Sequence, residues 1–310
     1  RRDSYATGLA LTYHIDRFLY KLRIADRVGE DGIPERHLTV PVSGISTVEE
    51  MVFSKLMLTR YIYQHQKVLA VESMMGDLDG MRRGGKLAHP CDFLEFTDND
   101  IFSLGTPHDS AMRPAAAEWK VSEHSEVTVG DLARSISLRR VPKKAIVLNI
   151  GNVEMIDGER TFGADTLAAK LRSIEGLREK ISAEAASLAR KAGLPVPELY
   201  DVCVAVPKVN MAKNFSRTPV LTYDGRFIPM ADAVDLNDWA ASFGANSYNA
   251  YVFARPEMLP AVSLAAISVL ERHGIVCLRD RIFSGLKESA LIEETAKRLG
   301  IKFNEIRNYI

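Results

Sequence analysis

Lys55, Thr59 and Tyr63 stand four residues apart within "SKLMLTRYIYQHQKVLAVESMM", residues 54–75. At helical spacing they put a cation, a hydroxyl and a phenol along one side. Such a stripe suits an anionic sugar phosphate, with the ammonium on phosphate oxygens and the hydroxyl groups on the sugar. It equally suits a lysine reaching to solvent from a helix edge beside a hydrogen-bonded core tyrosine, and spacing does not choose between the two. The setting adds a constraint. Leu56, Met57, Leu58, Ile62, Val68, Leu69, Val71 and Met74 fall all round a helical wheel, the pattern of a buried helix. Lys55, Arg60, Tyr63, Gln64, His65 and Lys67 then need partners, supplied by the protein or by a ligand.

Other chemical groupings have plainer readings. His14 and Asp16 in "YHID" lack the further ligands a metal needs, and Asp16 can cap a helix. "RRGG" at 82–85 has no following P-loop Lys-Ser/Thr and reads as a helix end. Asp98 and Asp100 in "TDNDIF" lack the Gly and distal Glu of a calcium loop and read as helix caps. GxSxG, HExxH and GxGxxG are all missing from the sequence.

The elements that position the stripe follow from periodicity and punctuation. "RRDSYATG" reads as a last helical turn closed by Gly8, and Asp16 caps "RFLYKLRIADR". "HLTVPVSG" is a short extended piece. Thr47 with Glu50 forms a capping box opening one long, mostly buried helix over 47–83. Residues 1–105 are thus expected to be mainly helical, with a short helix near Asp98, and 106–124 to be a linker. Residues 125–310 alternate between strand and helix patterns. Strands are expected near 144–150, 201–206 and 249–254, with a hairpin over 219–230 turning at Asp224-Gly225. Helices are expected over 165–193, ended by Gly193, over 231–244 and over 258–274. The fold class is α+β: a helical first part followed by a mixed α/β accessory module.

Composition narrows the classes. Lys+Arg and Asp+Glu both number 40, so the net charge of zero gives no support to bulk binding of nucleic acid or acidic membranes. Cys91, Cys203 and Cys277 are far apart, which fits a reducing cytoplasm and no structural zinc. No apolar run reaches the roughly 18 residues of a membrane span. The opening "RRDSYATG", without Met and inside a helix, suggests a natural N-terminus further upstream.

The order "RRDSYATG", "IDRFL" and a helix ending "YQHQKVLAVESMM" resembles the HD-domain phosphohydrolases, and among them the deoxynucleoside triphosphate triphosphohydrolases. Arg2-Asp3 and Gly8 match the family's Arg-Asp pair and glycine. Lys55, Tyr63 and His65 match its Arg, Tyr and His, with Lys for Arg keeping the charge and losing the bidentate fork. The resemblance covers about the first 105 residues well, and "FLEFTDNDI", "RRVPKKAIV" and "AYVFARPE" more loosely. It implies that residues 1–105 are the C-terminal helices of the HD-type domain. It implies substrate contacts from Asp3 and Tyr63 to the sugar, from Lys55 to phosphate oxygens, and from His65. The family's metal centre, a His, a His-Asp doublet and a final Asp, would precede Arg1. The resemblance therefore implies a divalent metal whose ligands this chain lacks, no catalytic residue in this chain, and no activity of this chain alone. The implied partners are a nucleoside triphosphate, the N-terminal HD half of the same protein and further copies in a homo-oligomer, with no membrane. The alternative is a non-catalytic nucleotide-binding regulatory or oligomerisation module.

Overall fold

A computed structural model of the chain describes residues 8, 14–28, 31–78, 99, 120, 127–155, 163–208, 219–234, 248–283, 286 and 289–301. The chain is α+β and divides into two compact units. The first takes residues 1–65, 163–165 and 208–248, and the second takes 66–162, 166–207 and 249–310. No helix among the described residues is long and apolar enough to cross a membrane.

In the first unit, helix α1 (Ile15–Lys21) ends where Leu22 turns extended, and Arg23 Nη1 donates to the carbonyls of Tyr20 and Leu22 at 2.9 Å each. The expected single helix over "RFLYKLRIADR" therefore stops early, because "RIADRV" pairs as a strand. This strand, β1 (Arg23–Val28), runs antiparallel to β2 (Pro34–Pro41), with Asp26 opposite Arg36 and ion-paired to it at 3.0 Å. Asp16 lies in the first turn of α1 and His14 takes the capping position. Strand β2 also pairs in parallel with β6 (Pro219–Leu221), and β6 turns back as β7 (Phe227–Pro229), giving the order β1-β2-β6-β7. The expected Asp224-Gly225 turn is present, with Gly225 at φ 79°.

Helix α2 (Ile45–Leu58) follows a 3₁₀ turn, Val42–Gly44. No Thr47–Glu50 capping box forms. The helix starts two residues before Thr47, whose hydroxyl instead donates to the Gly44 carbonyl at 2.6 Å. Val48, Val52 and Leu56, at i, i+4 and i+8, pack with Val40, Val220 and Met230 as the first unit's core. A π-helical turn, Thr59–Tyr63, follows. Gln64 and His65 break the helix, and α3 (Gln66–Leu78) begins in the second unit. The expected single helix over 47–83 is thus two helices, as far as Leu78; residues 79–83 lie outside the described ones. This explains a wheel that is apolar all round. It superposes two helices with different faces, since Leu69 and Ala70 of α3 pack on Cys203, Ala205 and Phe253, and Met74 packs on Val129, Leu132 and Ala133.

In the second unit, α4 (Val129–Ser137) opens on a capping box between Thr128 and Asp131. Strand β8 (Ala250–Ala254) lies between β3 (Lys143–Leu148) and β5 (Val202–Ala205), antiparallel to both. A two-stranded ribbon pairs β4 (Val153–Met155) with β9 (Ile275–Cys277). The helix expected over 165–193 is divided by Gly176, at φ 63°, into α5 (Ala164–Ser173) and α6 (Leu177–Ala192), and it ends at Gly193 as expected. Along the helix α8 (Leu259–Arg272), Leu259 to Ile267 are buried without a break, and Ser263 donates to the Ala145 carbonyl of β3 at 2.9 Å. Back in the first unit, the short α7 (Met230–Ala233) is the described part of the helix expected over 231–244. Helices α9 (Arg279–Ile282) and α10 (Ser289–Arg298) close the described chain. Only Lys120 of the expected 106–124 linker is described, bridging to Thr128, and of the short helix expected near Asp98 only Asn99 is described.

Candidate functional site

The stripe of chemical residues sits where α2 gives way to the π turn. The apolar stripe of Val48, Val52 and Leu56 seats α2 on its core, and Lys55, next to Leu56, emerges half-buried beside that seat. Thr59 opens the π turn, and its carbonyl accepts from the Gln64 amide at 2.7 Å, five residues on. Such widened turns occur mostly as single insertions in helices and often at functional sites. They rotate each residue by less than the 100° of an α-helix, which reduces the roughly 80° offset that eight α-helical residues would set between Lys55 and Tyr63. Thr59 is 4% exposed, and its Oγ1 meets no hydrogen-bond partner among the described residues. A buried hydroxyl in that state calls for an explanation, in function or in strain.

Beyond the turn the stripe opens to solvent. Tyr63 is 41% exposed, and His65 is exposed at the break itself. The Arg60 guanidinium lies over the Tyr61 ring, 5.4 Å from its centre, and Gln64 Nε2 donates to the Lys208 carbonyl at 3.0 Å, fixing the end of the turn. Lys55, Thr59, Tyr63 and His65 therefore share one short segment, running from half-buried cation through buried hydroxyl to open phenol and imidazole. That order suits a ligand with one anionic end and one hydroxylated end. Asp3, the fourth expected residue, lies outside the described residues.

Two further tests of chemistry fall elsewhere. Among the described residues no three His, Cys, Asp or Glu side chains come together to hold a metal ion, so no step through a metal is derived. A cleft of about 450 Å³ in the second unit is lined by Lys144, Asn149, Asn152, Asn249, Tyr251 and Arg281 among others. Its polar groups largely satisfy one another. Asn149 Nδ2 donates to Asn249 at 3.1 Å, Asn152 Nδ2 to the Val147 carbonyl at 2.7 Å, and Arg281 to the Gly151 carbonyl at 2.9 Å. This network holds the turn between β3 and β4. Cys203 and Cys277 are buried and in no disulfide, and burial raises the Cys277 thiol far above its ordinary value, leaving it inert.

No protein-family model matches the chain, and no curated protein matches it by sequence. Among solved structures, the chain is similar to the crystal structure of a phosphohydrolase from Bacteroides thetaiotaomicron. The two share 17% identity over 82% of this chain and 58% of that one, with a TM-score of 0.47. The chain thus spans a little over half the length of that structure, and no residue role is carried across at this level of likeness.

Proposed function

We propose that this chain forms one wall of the nucleotide pocket of an HD-type phosphohydrolase acting on deoxynucleoside triphosphates, the remaining walls and the metal centre coming from upstream residues of the same protein. The observation that carries the reading is the π turn between Lys55 and His65. It falls within the segment that resembles the family's substrate helix and draws Lys55 and Tyr63 toward one line across a buried hydroxyl. Lys55 binds phosphate oxygens, where a cation is worth most in a cleft of low dielectric. Tyr63 and Asp3 hold a sugar hydroxyl, and His65 closes the open end. Cys203 and Cys277, both buried and in no disulfide, fit a reducing cytoplasm.

The test uses the full-length protein with a divalent metal and each deoxynucleoside triphosphate, following release of inorganic triphosphate. We expect turnover, and we expect Lys55→Ala to weaken triphosphate binding by ~1.5–3 kcal/mol, the range for a charged hydrogen bond. Tyr63→Phe should alter discrimination at the sugar and leave the melting temperature in place. Tight nucleotide binding without turnover would assign the chain to a non-catalytic regulatory or oligomerisation module. If both variants lose stability and keep their nucleotide affinity, the stripe is structural.

A further inference from the structure

The segment after α4 places an arginine where helices ordinarily place glycine. Helix α4 ends at Ser137, Leu138 closes it, and Arg139 follows at φ 55°, the only non-glycine with positive φ among the described residues. The Arg139 amide donates to the Ile136 carbonyl at 2.9 Å and the Arg140 amide to the Ser135 carbonyl at 2.8 Å, so the left-handed residue ends the helix in the usual way. Glycine takes that position without a Cβ penalty, whereas arginine is strained there. Backbone strain of this kind tends to be kept where a site uses it.

What the strained residue faces is a cavity of about 860 Å³ within the second unit. Arg134, Arg139, Arg140, Lys143 and Arg255 line it, against two carboxylates, Asp131 and Glu257. Asp131 Oδ2 is committed to the cap of α4, accepting from the amide and hydroxyl of Thr128 at 3.0 and 2.8 Å. Among the described residues no hydrogen bond or ion pair engages the guanidinium groups of Arg134, Arg139 or Arg140. Arg255 is held differently. Its Nε meets the buried Asp201 carboxylate at 2.7 Å and its guanidinium lies over the Tyr200 ring, 5.1 Å from the centre, which fixes its plane. Met74, Leu132, Val141 and Pro256 supply an apolar wall.

We propose that this cavity binds a phosphoanhydride, inorganic or carried on an organic body, between the pre-set Arg255 and the unpaired Arg134, Arg139 and Arg140. Planar guanidinium forks match phosphate oxygens in pairs, and several converging on one cavity select for more than one phosphate group. Burial raises the Tyr200 phenol above its ordinary range, with Asp201 adding to the rise, so it remains a neutral donor to the same ligand.

The experiment is calorimetric titration of the full-length protein with inorganic pyrophosphate. We expect the paired substitution Arg139→Gln with Arg140→Gln to weaken binding about tenfold, and Arg190→Gln, an exposed cation on α6 outside the cavity, to leave it in place. A second variant separates binding from folding. Arg139→Gly should raise the melting temperature by relieving the left-handed backbone while it weakens pyrophosphate binding. A nucleoside diphosphate distinguishes the two sources. Tighter binding than pyrophosphate assigns an organic body resting on the apolar wall and Tyr200, and weaker binding assigns an inorganic ligand. No binding at millimolar pyrophosphate, or equal losses in the paired variant and Arg190→Gln, overturns the proposal. None of these substitutions touches α2 or its π turn, so either reading can fail while the other stands.

Discussion

Asp201 is 2% exposed, and its carboxylate accepts from the Glu198 amide at 2.9 Å while pairing with Arg255. Burial pushes this carboxyl above its usual range, outweighing the Glu198 amide and the Arg255 guanidinium, which pull it down. The folded state therefore holds the proton more tightly than the unfolded chain does. The stability this group contributes is full below the unfolded pKa and is lost as pH rises through the folded one. We expect the unfolding free energy to fall relative to that of Asp201→Asn as pH climbs from below the ordinary carboxylate range to neutrality, measured by denaturant titration at each pH. A gap that stays constant with pH would show that the pair with Arg255 sets the balance instead. At this scale the sequence was informative about residue types and silent about state. Lys55, Tyr63 and His65 could be picked out by spacing and resemblance, but the orphaned Thr59 hydroxyl and the left-handed Arg139 depend on backbone angles that no local pattern announces.

At the scale of elements, punctuation decided what could be read. The strands at Lys143–Leu148, Val202–Ala205 and Ala250–Ala254, the Asp224-Gly225 hairpin and the Gly193 helix end all carry strong local signals and are present. The β1–β2 hairpin was missed although Asp31-Gly32 marks its turn, with Gly32 at φ 79° and the Ile33 amide bonded to Asp31 Oδ1 at 3.1 Å. The break at Gln64–His65 was hidden because both flanking helices are apolar, each toward a different core. The capping box expected at Thr47 is found instead at Thr128–Asp131, where side chain and amide are reciprocally bonded. Thr128→Ala should cost about 1 kcal/mol in urea unfolding, and Thr128→Ser should restore most of it. Because Arg134, Arg139 and Arg140 are carried on or just past this helix, loosening its first turn also tests how far the cap sets the cavity.

For the whole molecule, the informative pairing is the least local one. Strand β7 returns to β6 across one tight turn, whereas β2 meets β6 only when Val40 reaches Val220. Loop closure favours the short connection, so pulse-labelled amide exchange during refolding should show the β6–β7 bonds protected before the β2–β6 bonds. Simultaneous protection would mean that the sheet forms in one step around the α2 core. No linear reading reveals this join, because parallel pairing leaves no mark in the intervening sequence. The discontinuity of the two units, with the chain leaving the first at His65, touching it again over 163–165 and returning to it at Lys208, reaches beyond folding. A gene segment that encodes the first 65 residues encodes only part of a physical unit, since the strand that completes its sheet lies more than a hundred codons away. Recombination within this stretch would hand on α2 without Val220 and Met230, the part of its core that the distant segment supplies.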